Sequence, residues 1–214
     1  MALSWAGMAP ASAQKGFNAG INGGYFASGM LDKVKFGEVP YNLKWKSGPS
    51  LGLAMGYNFT DYFGIAVEGN YIDLGGNFDY MQNNVKTNRS FDLTYYQIPV
   101  MFKFSGGNFP DRFSSMIGPA FGFLSRARTD GNMVENNGAS FKNSDLGILL
   151  SAGADLMLVQ HVYVNISARF YWGLGTVNND PQLIRGVSGD NDKLMNAYVG
   201  LSLGIHNLFV SSSE

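Results

Sequence analysis

The sequence contains no cysteine, and only 14% of its 214 residues are charged. The lack of cysteine excludes disulfide bonds, thiol nucleophiles and thiolate metal ligands. Soluble domains carry about 25% charged residues, so this chain has too few charged residues to cover a large water-facing surface. The net charge of −1 gives no electrostatic reason to expect a nucleic-acid partner. Transmembrane helices are excluded because no run of about 18 apolar residues occurs.

Aromatic residues and glycine are plentiful instead. Aromatics make up 14% of the chain, and there are 28 glycines. Few charges, many aromatics and no long apolar run are typical of an outer-membrane barrel, whose hydrophobicity is spread over alternating strands.

The clearest alternation lies in residues 197–209. One face carries an apolar row: Val199, Leu201, Leu203, Ile205 and Phe209. The residues between them are mostly small or polar. Period two over about a dozen residues is long for a globular strand and suits a tilted strand that crosses a bilayer. We predict that this is the closing strand of a barrel, and that its apolar row faces lipid and forms the β-signal for assembly.

Seven earlier segments share this pattern, and the connections between them alternate in length. The long polar stretches are about 29–44, 75–90, 126–143 and 176–196. The pattern predicts an all-β fold, an eight-stranded antiparallel up-and-down transmembrane β-barrel with four long extracellular loops and three short periplasmic turns.

Alternation alone also fits a soluble eight-stranded barrel of the lipocalin type, with an apolar interior. A water-facing surface should be rich in lysine and glutamate. Here the second face is mostly glycine, alanine, serine and asparagine, which fits the narrow interior of an eight-stranded barrel. Phenylalanines near the short turns indicate an interfacial girdle. The apolar face is therefore predicted to contact lipid, in the bacterial outer membrane.

The two ends of the chain differ from the strands. Residues 1–13 look like a truncated signal peptide, with a weakly apolar run before Ala11, Ser12 and Ala13. An ordinary flexible N-terminus is the alternative. We expect the barrel to occupy residues 14–209 and a short polar tail to occupy residues 210–214.

Three segments carry a family resemblance. Residues 94–103 contain the run Tyr-x-x-Ile-Pro, residues 117–123 contain Gly-Pro-x-x-Gly, and residues 145–154 form a third similar strand. Together they resemble the PorT-type outer-membrane β-barrel family of Bacteroidota, over essentially all of the chain after residue 13. The resemblance implies an eight-stranded barrel in the outer membrane and little about activity. The family's namesake is tied to protein secretion, and these motifs do not carry that role over.

Charged residues also occur in the inward phase of the strands: Glu68, Lys103, Asp145, Asp155 and Arg169. Glu68 and Arg169 both fall near mid-strand, so they could meet across the lumen. Buried charges must be paired or they cost several kcal/mol, which predicts a structural polar network. The alternative is a gated polar path for small solutes, which a filled eight-stranded barrel disfavours.

Three further features have ordinary structural explanations. Pro99 and Pro119 remove ladder donors at similar heights, which predicts a local bulge or bend. His161 and His206 are expected at turns or strand ends, without a serine or acid at a recognisable spacing. Asp190 and Asp192 could help to bind calcium, but their spacing favours a solvated acidic loop. We therefore predict no enzyme activity, no metal and no cofactor.

Three functions remain open from the sequence. The first is a non-enzymatic barrel whose long loops contact partners outside the cell. The second is an accessory subunit of an outer-membrane secretion or assembly complex. The third is a narrow porin-like channel. Expected partners are outer-membrane lipid, the barrel-assembly machinery during insertion, and other outer-membrane or extracellular proteins.

Overall fold

The computed structural model describes residues 15–32, 41–82, 84–107, 111–134, 140–159, 161–186 and 191–210. The predicted signal remnant, residues 1–13, lies outside the described residues, as do residues 211–214 of the predicted tail. No helix in the described ranges is long and apolar enough to cross a membrane.

Antiparallel strands make up almost the whole described chain. Their bounds are β1 Gly16–Asp32, β2 Tyr41–Asn58, β3 Phe63–Gln82, β4 Val85–Gly106, β5 Asp111–Thr129, β6 Asn132–Met133, β7 Ser144–Val159, β8 Val162–Gly173 and β9 Leu194–Val210. The two-residue β6 only extends a hairpin from β5, and the other eight strands close a ring. The predicted eight-stranded up-and-down barrel is thereby confirmed.

The ring closes where β9 pairs with β1. The register runs from Gly16 opposite Val210 to Asp32 opposite Leu194. This pairing leaves no strand edge in the membrane, where an unpaired backbone group would cost several kcal/mol. Val210 pairs within the sheet, so β9 extends one residue past the predicted end of the barrel.

The outward face of the barrel is apolar between two levels of aromatic residues. Leu201 and Leu203 of β9 are 66% and 52% exposed, as expected for side chains in lipid. The lower girdle, at the short-turn end, consists of Phe17, Phe63, Phe104, Phe113 and Phe209. The upper girdle consists of Tyr25, Tyr71, Tyr96, Phe123 and Trp172. Two such girdles flank the lipid-facing band of outer-membrane barrels, and the short-turn end is the periplasmic one.

Strand pairing continues far above the upper girdle, where the sequence predicts long loops. Residues 75–90, predicted as the second loop, form a hairpin instead, because β3 reaches Gln82 and β4 begins at Val85. Likewise β5 continues to Thr129. The strands persist because their inward residues, such as Phe78 and Phe91, are fully buried in a core above the membrane.

The prolines do not produce the expected bulges. Val67 pairs with Val100 and Asn70 with Gln97 on the two sides of Pro99, in one unchanged register. The register is also unchanged across Pro119. The sheet tolerates each missing donor locally. Register shifts occur elsewhere: between Trp45 and Ser50 of β2, at Ser125 of β5 opposite Thr94 and Tyr95, and between Met157 and Val159 of β7. The first two lie above the upper girdle.

Candidate functional site

The lower half of the lumen holds the first of two buried ion pairs. Arg169 of β8 donates to both carboxylate oxygens of Glu68 on β3, over 2.6 and 2.9 Å. Asn70 adds a third hydrogen bond to Glu68 of 2.9 Å. Both charged side chains are at least 94% buried. The forked pair spans the barrel interior, and its geometry is the strongest that an arginine and a carboxylate form.

The second ion pair lies closer to the short turns. Lys103 of β4 donates to Asp155 of β7 over 2.7 Å. Asn165 and Ser114 hydrogen-bond to the other carboxylate oxygen of Asp155, over 2.6 and 3.3 Å. The Lys103 ammonium also stands 5.4 Å from the ring centre of Tyr163. Asp155 is thus a hub that links three strands besides its own.

Asp145, the fifth predicted lumen charge, lies apart from these pairs. It is the second residue of β7, near the height of the upper girdle, and its carboxylate accepts a 2.9 Å hydrogen bond from Asn196. The structure therefore brings four of the five predicted residues together as two pairs and places the fifth elsewhere.

The interior also contains groups that the sequence analysis missed or misplaced. His206 faces the lumen, where its ring stacks on Tyr163 with centroids 5.0 Å apart, whereas we expected a turn or strand-end position. His161 does lie in the turn between β7 and β8, with φ at 70°. His206 lies on the same face of β9 as Ser202 and Gly204, which are buried. The alternation of residues along the strand therefore predicts its inward position.

Aromatic side chains fill the lumen above the polar network. Tyr171 and Tyr198 stack with centroids 5.0 Å apart, and Phe26 meets Tyr198 edge-on at 5.0 Å. Tyr198 donates a 2.7 Å hydrogen bond to Gln97, which ties the layer to the polar residues below. Tyr95 is 1% exposed within the same core. We call this layer, defined by Phe26, Tyr95, Tyr171 and Tyr198, the aromatic plug.

Little space remains below the aromatic plug. A cavity of about 20 Å³ lies between Glu68, Lys103, Tyr163 and Arg169. One water molecule needs roughly 10–15 Å³ by this measure, so the cavity is at the scale of a single water. The interior is thus a packed polar core under an aromatic layer.

Above the upper girdle, the strands form what we call the outer platform: residues 41–50 of β2, 72–95 of β3 and β4, and 124–134 of β5 and β6. Phe78 and Phe91 contact edge-on at 5.7 Å, and Phe91 contacts Phe141 at the same distance. These rings continue the apolar core outside the membrane. The platform is therefore a folded structure whose core is continuous with the aromatic plug.

Asp79 anchors the side of the β3–β4 hairpin in the outer platform. Its carboxylate accepts from Lys44 at 2.6 Å, from Asn88 at 2.6 Å and from Lys86 at 3.4 Å. The hydrogen bond from Lys44 is the largest cause that lowers the pKa of Asp79 from 3.8 to about 2. The hairpin is thus held by a carboxylate that stays charged in all but strongly acidic solution.

The connection between β8 and β9 packs onto the top of the barrel. Arg89 donates to the carbonyl oxygens of Leu183 and Ile184, over 3.0 and 3.3 Å. Asp192 is 4% exposed and accepts from the backbone amide of Ile184. The prediction of a solvated acidic loop is therefore wrong for Asp192, whose buried carboxylate stabilises a turn. Asp190 lies outside the described residues.

Neither catalytic nor metal-binding geometry accompanies these features in the described ranges. Within them, no group of three or more histidine, aspartate or glutamate side chains is placed to hold a metal ion. No hydrogen bond joins a serine to His161 or His206 among the same residues. What the geometry does provide is a sealed barrel with a folded outer platform.

Comparison of the sequence with known protein families agrees with the barrel fold. Residues 10–179 match the family model described as the outer membrane protein beta-barrel domain. The chain belongs to this family. Members of the outer membrane β-barrel domain family lie in the bacterial outer membrane, which confirms the predicted location. The match is to the broad domain, and the narrower PorT-type relationship stays a prediction.

Solved outer-membrane proteins share the fold. OprG from Pseudomonas aeruginosa superposes with a TM-score of 0.53 at 15% identity, over 92% of this chain and 98% of OprG. Neisserial surface protein A (NspA) also has a TM-score of 0.53 at 15% identity, over 92% of this chain and 99% of NspA. At this identity the likeness concerns the fold alone. No curated protein matches the sequence.

Proposed function

We propose that this outer membrane β-barrel is a non-enzymatic binding protein that contacts partner molecules outside the cell through its outer platform. The observation that carries the proposal is the platform itself, in which β2 to β5 continue past the upper girdle around a buried aromatic core. Binding residues are commonly displayed on segments held by a rigid scaffold, and the ring of strands supplies one.

Exposed apolar side chains at the top of the platform mark the contact surface. Met81 and Val85 flank the hairpin tip and are 63% and 64% exposed. These residues lie well above the lipid-facing band, so lipid does not cover them. Apolar side chains on both faces of a hairpin tip in water favour contact with a protein.

The absence of enzymatic activity is part of this proposal. It is supported by the ion pairs of the lumen, which use their carboxylates in structural bonds under the aromatic plug. It is also supported by the lack of any serine–histidine hydrogen bond among the described residues. A porin-like channel is disfavoured because, in the described part of the lumen, the cavity beside the two pairs has room for about one water molecule.

A second candidate is an accessory subunit that contacts a secretion or assembly complex from the side, as the PorT-type resemblance suggests. One structural feature favours it. On the lipid-facing wall, Ser115, Ala152 and Ala168 are aligned across β5, β7 and β8. Larger side chains border them, including Phe104 and Phe170, and the result is a shallow groove. Small residues let another transmembrane segment approach closely.

Site-specific photo-crosslinking in native outer membranes separates these candidates. A photoreactive residue replaces Met81 or Val85 in the tip, and Ala152 in the lateral groove, with Met55 of β2 on the opposite wall as the matched lipid-facing control. We expect protein adducts at the tip positions and none at Met55. Adducts confined to Ala152 would contradict the platform proposal and favour the accessory subunit.

Insertion of the barrel is also part of the proposal. We propose that the barrel-assembly machinery reads the apolar row of β9 as a β-signal. The support is the position of that row, which faces outward beside the β1–β9 closure. A closing strand with a lipid-facing row is accessible to a partner until the ring is complete.

A further inference from the structure

Two β-bulges create a polar groove on the outside of the barrel, immediately above the upper girdle. One bulge lies between Trp45 and Ser50 of β2, and the other lies at Ser125 of β5, opposite Thr94 and Tyr95 of β4. Bulges bend a strand and redirect its side chains. The resulting cavity has a volume of about 200 Å³. Its charged and hydroxyl-bearing lining includes Lys46, Asp73, Asp92, Thr94, Arg126 and Arg128. We call it the bulge groove.

The height of the bulge groove follows from strand register. Tyr71 and Tyr96 of the upper girdle are cross-strand partners, with ring centres 5.4 Å apart. Two residues further up, Thr94 pairs with Arg126, and Asp92 pairs with Arg128 in the row above. Two residues of strand rise roughly 6.6 Å. The headgroup region on each side of a bilayer is about 5–7 Å thick, so the bulge groove lies at headgroup depth.

The charges of the bulge groove leave two arginines available. Lys46 forms an ion pair with Asp92 and donates to the Ser90 hydroxyl over 3.2 Å. Asp73 accepts from the Thr94 hydroxyl over 2.7 Å.

Arg126 and Arg128 are both exposed, and neither forms an ion pair with a carboxylate among the described residues. The Nε of Arg128 lies 3.4 Å from the sulfur of Met133, a weak acceptor. Two guanidinium groups therefore face the headgroup layer without an anionic partner from the described chain.

An apolar slot runs down the barrel wall directly below. Leu51, Leu53, Tyr71, Tyr96 and Ile98 line it, and its volume is about 580 Å³. Gly69 forms part of its floor, and a Cβ at this position would meet nothing within 4 Å. The slot and the bulge groove share β2, β3 and β4, so one molecule with a charged head and an apolar tail would occupy both.

We propose that the bulge groove and the slot bind one anionic lipid of the outer leaflet, with Arg126 and Arg128 on its phosphate and an acyl chain along Gly69. The planar guanidinium group matches phosphate oxygens in a forked arrangement. A free phosphate ion would use the two arginines but not the slot. The slot is therefore the feature that distinguishes a lipid headgroup from a soluble anion.

Native mass spectrometry of the full chain in detergent micelles tests the proposal. The probes are phosphatidylglycerol, phosphatidylcholine and inorganic phosphate, each titrated separately. We expect one tightly bound phosphatidylglycerol. Combined Arg126→Gln and Arg128→Gln substitution should weaken its binding about tenfold, because charge-assisted hydrogen bonds are lost. The matched control is Lys15→Gln with Lys86→Gln, which removes the same charge elsewhere and should leave binding unchanged.

A second variant tests the slot independently of the arginines. Gly69→Leu fills the slot and should weaken phosphatidylglycerol binding while both guanidinium groups remain. Heat-modifiable mobility on gels verifies that each variant is folded. Equal binding of phosphatidylcholine, unchanged binding in the double arginine variant, or no effect of Gly69→Leu would each overturn the proposal. Displacement of the lipid by equimolar inorganic phosphate would overturn it as well.

Discussion

The lumen shows how single buried charges are tolerated in a narrow barrel. Glu68 and Asp155 each have a cationic partner from another strand and at least one amide partner, Asn70 or Asn165. A buried carboxylate without such partners would cost several kcal/mol. The pairs therefore act as crosslinks between β3 and β8 and between β4 and β7.

Removal of one partner of the forked pair should destabilise the barrel. Arg169→Ala leaves Glu68 charged and buried, so we expect the free energy of unfolding to fall by about 3–5 kcal/mol. Urea titration in lipid vesicles measures it, with the heat resistance of the folded gel band as a second readout. Unchanged heat resistance would count against a structural network.

The matched variant for Arg169→Ala changes both partners. Glu68→Gln with Arg169→Met leaves no unpaired charge, so it should recover a large part of the lost stability. Equal destabilisation by the single and double variants would mean that packing, and not charge pairing, sets the effect.

Asp79 predicts a pH dependence of the outer platform. The pKa of Asp79 is lowered to about 2 by Lys44 and Asn88, below its ordinary value of 3.8. A lowered pKa in the folded state means that the stabilisation is complete above about pH 4 and is lost as pH falls toward 2. We expect the protection of the β3–β4 hairpin against hydrogen exchange, relative to the intrinsic exchange rate at each pH, to fall in that window.

Asp79→Asn is the control for this titration. The variant should exchange faster at neutral pH and lose the acid-dependent step. An identical step in Asp79→Asn would assign the titration to another carboxylate.

At the scale of elements, β9 closes the ring and contributes its last aromatic residue to the lower girdle. The ring of Phe209 lies 5.8 Å from that of Phe17 on β1. Phe209→Ala should slow closure and reduce the yield of folded barrel in the outer membrane, and the lost aromatic pair alone is worth about 0.5–1.5 kcal/mol. Heat-modifiable mobility of newly made protein measures the yield.

Val199→Ala is the matched control on the same strand, because Val199 also faces lipid but lies far from the lower girdle. It should affect the yield less than Phe209→Ala does. If both variants lower the yield equally, lipid burial along β9 matters and the terminal aromatic has no special role.

The β3–β4 hairpin shows what strand prediction missed. The segment 75–90 is rich in polar residues, which favoured a loop. Its period-two pattern was present, since Phe78 and Tyr80 alternate with Asn77 and Asp79. The deciding fact is a core above the membrane into which Phe78 packs, and a local pattern does not show that such a core exists.

The whole molecule is a barrel sealed by its own side chains. The aromatic plug lies above two ion pairs, so the intact protein should give no steady conductance in planar bilayers. Tyr171→Ala with Tyr198→Ala removes the stacked pair and should allow intermittent current. Steady openings of the unmodified protein would overturn the sealed barrel and support the porin-like alternative.

The sequence alone determined the strand count, the lipid-facing row and the outer-membrane location. These depend on period two and on the polarity of each face, and both are local properties of the chain. It also predicted inward positions for Glu68, Lys103, Asp155 and Arg169, because successive residues of a strand point to opposite faces of the sheet.

Only the tertiary structure decided which of these charges pair. Partners such as Lys103 and Asp155 are 52 residues apart and meet across the lumen only after the ring has closed. The aromatic plug and the bulge groove arise in the same way. Each combines residues from several strands, and the register and the bulges determine which side chains share one height.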